Sequence, residues 1–223
     1  MDWAHHAPMS QQPPSHTDLL PELRYLALGD SYTIGEAVAE EGRWPMQLAR
    51  LLRSEGIALA DPRIIATTGW TTDELDAAIQ AQEPLGDHDF VSLLIGVNNQ
   101  YRGRSVEEYQ AQFSALLWRA IGFAGNRPDR VLVLSIPDWG VTPFAAAEQR
   151  DASLIASELD AYNAAAWQAC AARGVGFVDI TGLSRGNPAA SWLADDGLHP
   201  SALQYTAWAH AALPLARRLL ATA

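Results

Sequence analysis

Five short apolar runs, alternating with longer stretches of helical spacing, constrain the fold of this chain more than any other feature. The runs are Tyr25–Leu28, Arg63–Ala66, Phe90–Ile95, Val131–Ile136 and Val175–Ile180. Each reads as a strand apolar on both faces. Between them, Met46, Leu48, Leu51 and Leu52 mark a helix over Trp44–Glu55 that stops at Gly56. Thr71 followed by Glu74, and Ser105 followed by Glu108, are capping-box spacings that open two more helices, to about Gln82 and about Phe123. A fourth helix spans about Ser153 to Ala172, and a last one runs from Pro200 or Ser201 to about Leu220. Buried strands separated by helices imply a parallel five-stranded sheet covered on both faces, a three-layer α/β/α sandwich. In such sheets functional groups collect in the loops that leave the carboxyl ends of the strands.

Four short blocks fall in those loops. Gly29-Asp30-Ser31-Tyr32 follows the first strand, Thr68-Gly69-Trp70-Thr71-Thr72 the second, and Gly96-Val97-Asn98-Asn99 the third; Asp196-Gly197-Leu198-His199-Pro200 precedes the last helix. The blocks hold the parts that acyl transfer needs. A serine hydroxyl is a poor nucleophile until a base takes its proton. His199 is the candidate base for Ser31. Asp196, three residues earlier, can reach the imidazole Nδ1, fix its tautomer and stabilise the imidazolium. Asp195 is the rival acid. The tetrahedral intermediate needs donors placed in advance, and the candidates are the backbone N–H groups of Ser31 and Gly69 and the side-chain amide of Asn98. Pro200 is expected to stiffen the histidine at the start of the final helix.

In these blocks the chain resembles the SGNH/GDSL hydrolases, a family named for its serine, glycine, asparagine and histidine. The resemblance covers about residues 25–210. It implies a flavodoxin-like sheet, a Ser31, Asp196, His199 triad, and an oxyanion hole of Ser31, Gly69 and Asn98. Two positions depart from the family pattern: Tyr32 stands where leucine is usual, and Asn99 where aspartate is usual. Asn99 is expected to change the hydrogen bonding that supports the first block, at Asp30.

Composition narrows the chemistry. A formal charge of −11 and a pI near 4.8 argue against nucleic acid or an anionic membrane surface as partner. All 15 basic residues are arginine, which excludes Schiff-base lysine chemistry and a P-loop lysine. Cys170 is the only cysteine, so no intramolecular disulfide or paired-cysteine metal site is available, and its alanine-rich setting marks a packed core thiol. No apolar run reaches the roughly 18–20 residues of a transmembrane helix. Residues 1–22 lack the basic and apolar regions of a secretion signal and read as a flexible tail, leaving residues 23–223 as one catalytic domain and favouring a cytoplasmic protein.

Other features fare less well as sites. Asp87-His88-Asp89 has metal-ligand residue types but precedes a strand, at the opposite sheet edge from the blocks. His210 reads as a helix-face residue, and His5 and His6 belong to the tail. Of the eight tryptophans, Trp70, Trp139 and Trp192 lie near the blocks and are candidate substrate walls. The loop from Ile136 to Pro143 has the rigidity of a pocket rim. The expectation is therefore a serine hydrolase of carboxylic esters, small acyl groups first, that uses neither metal nor cofactor and takes a small-molecule substrate. The same fold could serve a thioesterase, a lysophospholipase or a carbohydrate deacetylase. An acyltransferase or a non-catalytic binding domain are the readings from other classes.

Overall fold

The computed structural model describes residues 22–186 and 190–221; the predicted tail falls outside them except for Glu22. The strands are β1 (Tyr25–Gly29), β2 (Arg63–Ala66), β3 (Phe90–Leu94), β4 (Val131–Leu134) and β5 (Gly176–Val178). They form one sheet in the order β2-β1-β3-β4-β5, and every pairing is parallel. This is the flavodoxin-like order, whose direction of winding reverses between β1 and β3. The helices in chain order are α1 (Ser31–Ile34), α2 (Trp44–Ser54), α3 (Thr72–Gln82), α4 (Val97–Tyr101), α5 (Val106–Phe123), α6 (Pro143–Ala147), α7 (Ala152–Ala171), α8 (Thr181–Gly186) and α9 (Ala202–Ala221). Helix α2 packs on α9, whereas α5 packs on both α3 and α7.

Every residue of β1, β3 and β4 is buried, as their largely apolar runs require for central strands, and the one hydroxyl residue inside β3, Ser92, pairs with the Tyr25 hydroxyl at 2.9 Å. The predicted caps form. Glu74 accepts from the Thr71 N–H at 2.9 Å, and the Ser105 hydroxyl accepts from the Glu108 N–H at 3.1 Å. Strands β4 and β5 are shorter than their apolar runs because side chains intercept the backbone. Asn163 takes the Ile136 N–H at 2.8 Å and donates to the Ile136 carbonyl at 3.0 Å, removing both groups from the ladder. At β5, the Val175 N–H closes the end of α7 on the Cys170 carbonyl, and the Ile180 N–H donates to the Ser135 hydroxyl at 2.8 Å. Cys170 is fully buried, and burial pushes its thiol up to about 12, consistent with inert packing.

Candidate active site

Block one makes a sharp strand-to-helix turn. Asp30 caps α1: its Oδ1 accepts from the Tyr32 N–H at 3.0 Å. This places Ser31 at the first position of α1, nearly buried but open to a cavity. Asp30 is wholly enclosed. Burial raises its carboxyl to about 7 although the Tyr32 and Gly96 N–H groups pull it back. Because the folded state favours the neutral acid while the unfolded chain ionises near 4, stability falls as pH rises from about 4 to 7, and the loss is complete above that window. Asp30→Asn keeps an acceptor for Tyr32 and carries no charge. Its urea midpoint, measured relative to that of the unsubstituted protein, is expected to rise between pH 4.5 and 7.5; a constant difference would show that Asp30 titrates normally.

Block two supplies Gly69, whose φ of +90° is unfavourable for other residues, and whose would-be Cβ meets nothing within 4 Å. The requirement there is conformational. Gly96 differs, because at φ +132° an added Cβ would also lie 2.5 Å from the Tyr109 ring. That tight passage turns the chain off β3 into α4 and presents Asn98. The Asn98 amide donates one N–H to the Trp70 carbonyl at 2.9 Å, which holds the side chain and leaves its second N–H free to face a ligand. The Arg102 guanidinium braces the same loop, reaching the Gly69 carbonyl at 2.7 Å and Glu74 at 3.2 Å.

Asn99 does not act on Asp30. It is fully buried and grips block two instead: its Oδ1 accepts from the Thr72 N–H at 3.1 Å and its Nδ2 donates to the Thr72 hydroxyl at 2.7 Å. Accepting from an amide frees the Thr72 hydroxyl to donate onward to Gln112. A carboxylate at position 99, which only accepts, would compete for that proton.

Block four closes the arrangement. Asp196 Oδ2 lies 2.6 Å from His199 Nδ1, and Oδ1 accepts from the Leu198 and His199 N–H groups, each at 2.9 Å. Partial burial raises the Asp196 carboxyl, but the bonds from the His199 side chain and the two backbone N–H groups outweigh it and hold it below the usual carboxylate range. The acid stays ionised at neutral pH, and a carboxylate at that distance favours the imidazole tautomer protonated on Nδ1, in which Nε2 is the nitrogen able to accept a proton. Asp195, exposed, makes no such bond. The Ala194 N–H holds the His199 carbonyl at 2.8 Å, and buried Pro200 bridges back to Leu193, so the histidine is anchored on both sides.

Ser31, Gly69, Asn98 and His199 line one cavity of about 230 Å³, at the carboxyl edge of the sheet and beside its β1–β3 switch point. Tyr32, Tyr101, Trp139 and Phe144 furnish its aromatic walls. The Tyr32 ring meets His199 edge-on at 6.1 Å between centroids. Trp139 is buried and donates to Gln100 at 2.8 Å. Trp70 does not line this cavity; it is half-buried against the core and contributes its carbonyl to Asn98. Trp192 lines an adjoining cavity. Sequence reading missed Tyr32, Tyr101 and Phe144 as wall residues, although Tyr32 was marked by its departure from the usual leucine. His88 turns back on the Gly86 carbonyl at 3.1 Å and Asp89 accepts from the Arg24 N–H at 2.7 Å, so that trio is a turn ahead of β3. His210 is exposed on α9.

Comparison with known proteins agrees with this arrangement. A family model described as GDSL-like lipase/acylhydrolase matches residues 27–207. No curated protein matches the chain. Among solved structures, a lipase/acylhydrolase from Enterococcus faecalis is similar with a TM-score of 0.67 at 19% identity, over 88% of this chain and 96% of that one. The acetylxylan esterase Axe2 from Geobacillus stearothermophilus is similar with a TM-score of 0.65 at 21% identity, over 87% and 94%. The esterase EstA from Pseudoalteromonas sp., in a structure inhibited by monoethylphosphonate, has a TM-score of 0.59 at 17% identity, over 90% and 95%. With a family match over most of its length and the sheet of those hydrolases, the chain belongs to the GDSL-like lipase/acylhydrolase family and is a hydrolase of ester bonds.

Proposed function

We propose that the protein cleaves carboxylic esters of small acids through an acyl-enzyme on Ser31. The observation that carries this is the 2.6 Å Asp196–His199 contact beside a cavity that also holds Ser31, Gly69 and Asn98. The Ser31 hydroxyl attacks the ester carbon and its proton passes to His199 Nε2. The N–H groups of Ser31 and Gly69 and the free N–H of Asn98 receive the developing oxyanion. As the carbon–oxygen bond to the alcohol breaks, His199 returns the proton to the leaving oxygen. Water, activated by the same nitrogen, then releases the acid and restores Ser31. A cavity of about 230 Å³ walled by aromatic rings has room for a small acyl group.

The test is p-nitrophenyl acetate hydrolysis in the presence of a chelator, followed by reaction with an alkyl fluorophosphonate and peptide mapping. The expected result is chelator-resistant activity, lost in step with one phosphonyl group on the peptide carrying Ser31. Labelling elsewhere, or activity that survives full labelling of Ser31, would overturn the assignment.

A further inference from the structure

A second cavity, of about 360 Å³, adjoins the first and shares with it the side chains of Tyr32, Trp139 and Leu198. Resting on the esterase reading above, we propose that this second chamber receives the alcohol half of the substrate, and that this alcohol is apolar, alkyl or aromatic. Three observations support it.

The first is position. His199 lines the first cavity with Ser31, Gly69 and Asn98, and its two neighbours in sequence, Leu198 and Pro200, line the second, so the second chamber opens on the histidine end of the site and away from Gly69 and Asn98. In the collapse of the tetrahedral intermediate, the leaving oxygen must face the imidazolium that protonates it, while the carbonyl oxygen faces the opposite donors. The alcohol therefore departs on the histidine side. There it takes the His199 proton, its bond to the acyl carbon breaks, and it leaves neutral, as a chamber without a spare charge requires.

The second is that most of the polar groups that the described residues bring to the chamber wall are already engaged by the protein. Asp138, almost fully buried, accepts from the Gly140 N–H and from Arg185, both at 2.8 Å. Ser184 donates to the Thr181 carbonyl at 2.6 Å and accepts from the Asp138 N–H at 2.8 Å, and Thr142 donates to the Trp139 carbonyl at 2.6 Å. Trp192 Nε1 donates to the Leu183 carbonyl at 3.2 Å. An apolar occupant leaves none of these groups orphaned, and a polar one finds only the Tyr32 hydroxyl and the Gln204 amide to bind.

The third is surface. Pro137, Val141, Pro143, Ala146, Trp192 and Leu193 supply the rest of the contact area, and a volume of about 360 Å³ lies within the range of small-ligand pockets.

Two ester series separate the halves of the substrate: acetates of methanol, butanol and benzyl alcohol, and methyl esters of acetic, butyric and hexanoic acids. The expected kcat/KM rises roughly tenfold or more from methyl to benzyl acetate, since fitted methylene groups discriminate at about that level or above, and falls along the acid series. Ala146→Trp and Val141→Trp, at chamber positions outside the catalytic groups, are expected to erase the rise while leaving methyl acetate within twofold. That retained rate also reports folding. A rise along the acid series, or variants that slow every ester alike, would overturn the inference. Benzyl alcohol binding to Ser31→Ala, read from tryptophan fluorescence, tests the chamber without chemistry. Binding that Ala146→Trp abolishes supports the chamber even if no ester is cleaved, in which case the esterase reading alone falls; absence of binding overturns the chamber.

Discussion

Ser31→Ala is expected to lower kcat for p-nitrophenyl acetate by about 10⁴–10⁶-fold while leaving KM and the urea midpoint nearly unchanged. The size follows from the number of steps that run through one oxygen. Without it no acyl-enzyme forms, and His199 and Asp196 have no proton to move, so loss of the serine alone typically costs about as much as loss of the whole triad. What survives is expected to come from the proposed oxyanion donors of Ser31, Gly69 and Asn98, two of which are untouched and the third of which is a backbone N–H that alanine keeps. The small structural effect follows from the setting. The Ser31 side chain makes no hydrogen bond with the described residues, and α1 is capped by Asp30 through the Tyr32 N–H at 3.0 Å. Steady-state kinetics beside urea denaturation separates the two effects. A variant that retains more than a hundredth of the activity would place the nucleophile elsewhere, whereas one that unfolds early would give Ser31 a structural role.

The sheet and the four blocks were legible because each is a local pattern. Apolar runs such as Phe90–Ile95 announce central strands, and Thr71–Glu74 or Ser105–Glu108 announce helix starts through hydrogen bonds within one turn. The ends of β4 and β5 were not legible, because Asn163 and Ser135 capture Ile136 and Ile180 from 27 and 45 residues away. The partner of Asn99 failed for the same reason: Thr72 is 27 residues distant, and the sequence offers no reason to prefer it to Asp30. The aromatic walls were legible only by proximity to a block. Trp139 lines the primary cavity and Trp192 its neighbour. Trp70 adjoins a block too, yet it packs on the core and meets Asn98 through its carbonyl, whereas Tyr32, inside a block, lines the cavity; adjacency in sequence does not say which way a ring turns. The short helices α4, α6 and α8 are too brief for a period of 3.6 residues to register.

Asp196→Asn is expected to lower kcat by about 10⁴-fold with little change in KM, although asparagine is nearly the same shape. Its carbonyl can still accept from the Leu198 and His199 N–H groups, which now reach Oδ1 at 2.9 Å, so the turn survives. The change lies at the other atom. An NH₂ in place of Oδ2, 2.6 Å from Nδ1, donates where the carboxylate accepted, and drives the imidazole to the tautomer protonated on Nε2. That nitrogen then carries a hydrogen towards Ser31 and cannot take one. The rotated alternative, with NH₂ towards the backbone, sets donor against donor at two N–H groups and is worse. The ionised acid is also lost, so the imidazolium formed during attack has no counter-charge. Asp195→Asn provides the control: its side chain is exposed and has no bond to His199, so its activity is expected to stay within twofold. Comparing kcat for the two variants decides between neighbouring carboxylates. Equal losses would mean that the loop tolerates no amide at all, and a loss confined to Asp195→Asn would transfer the role of triad acid to that residue.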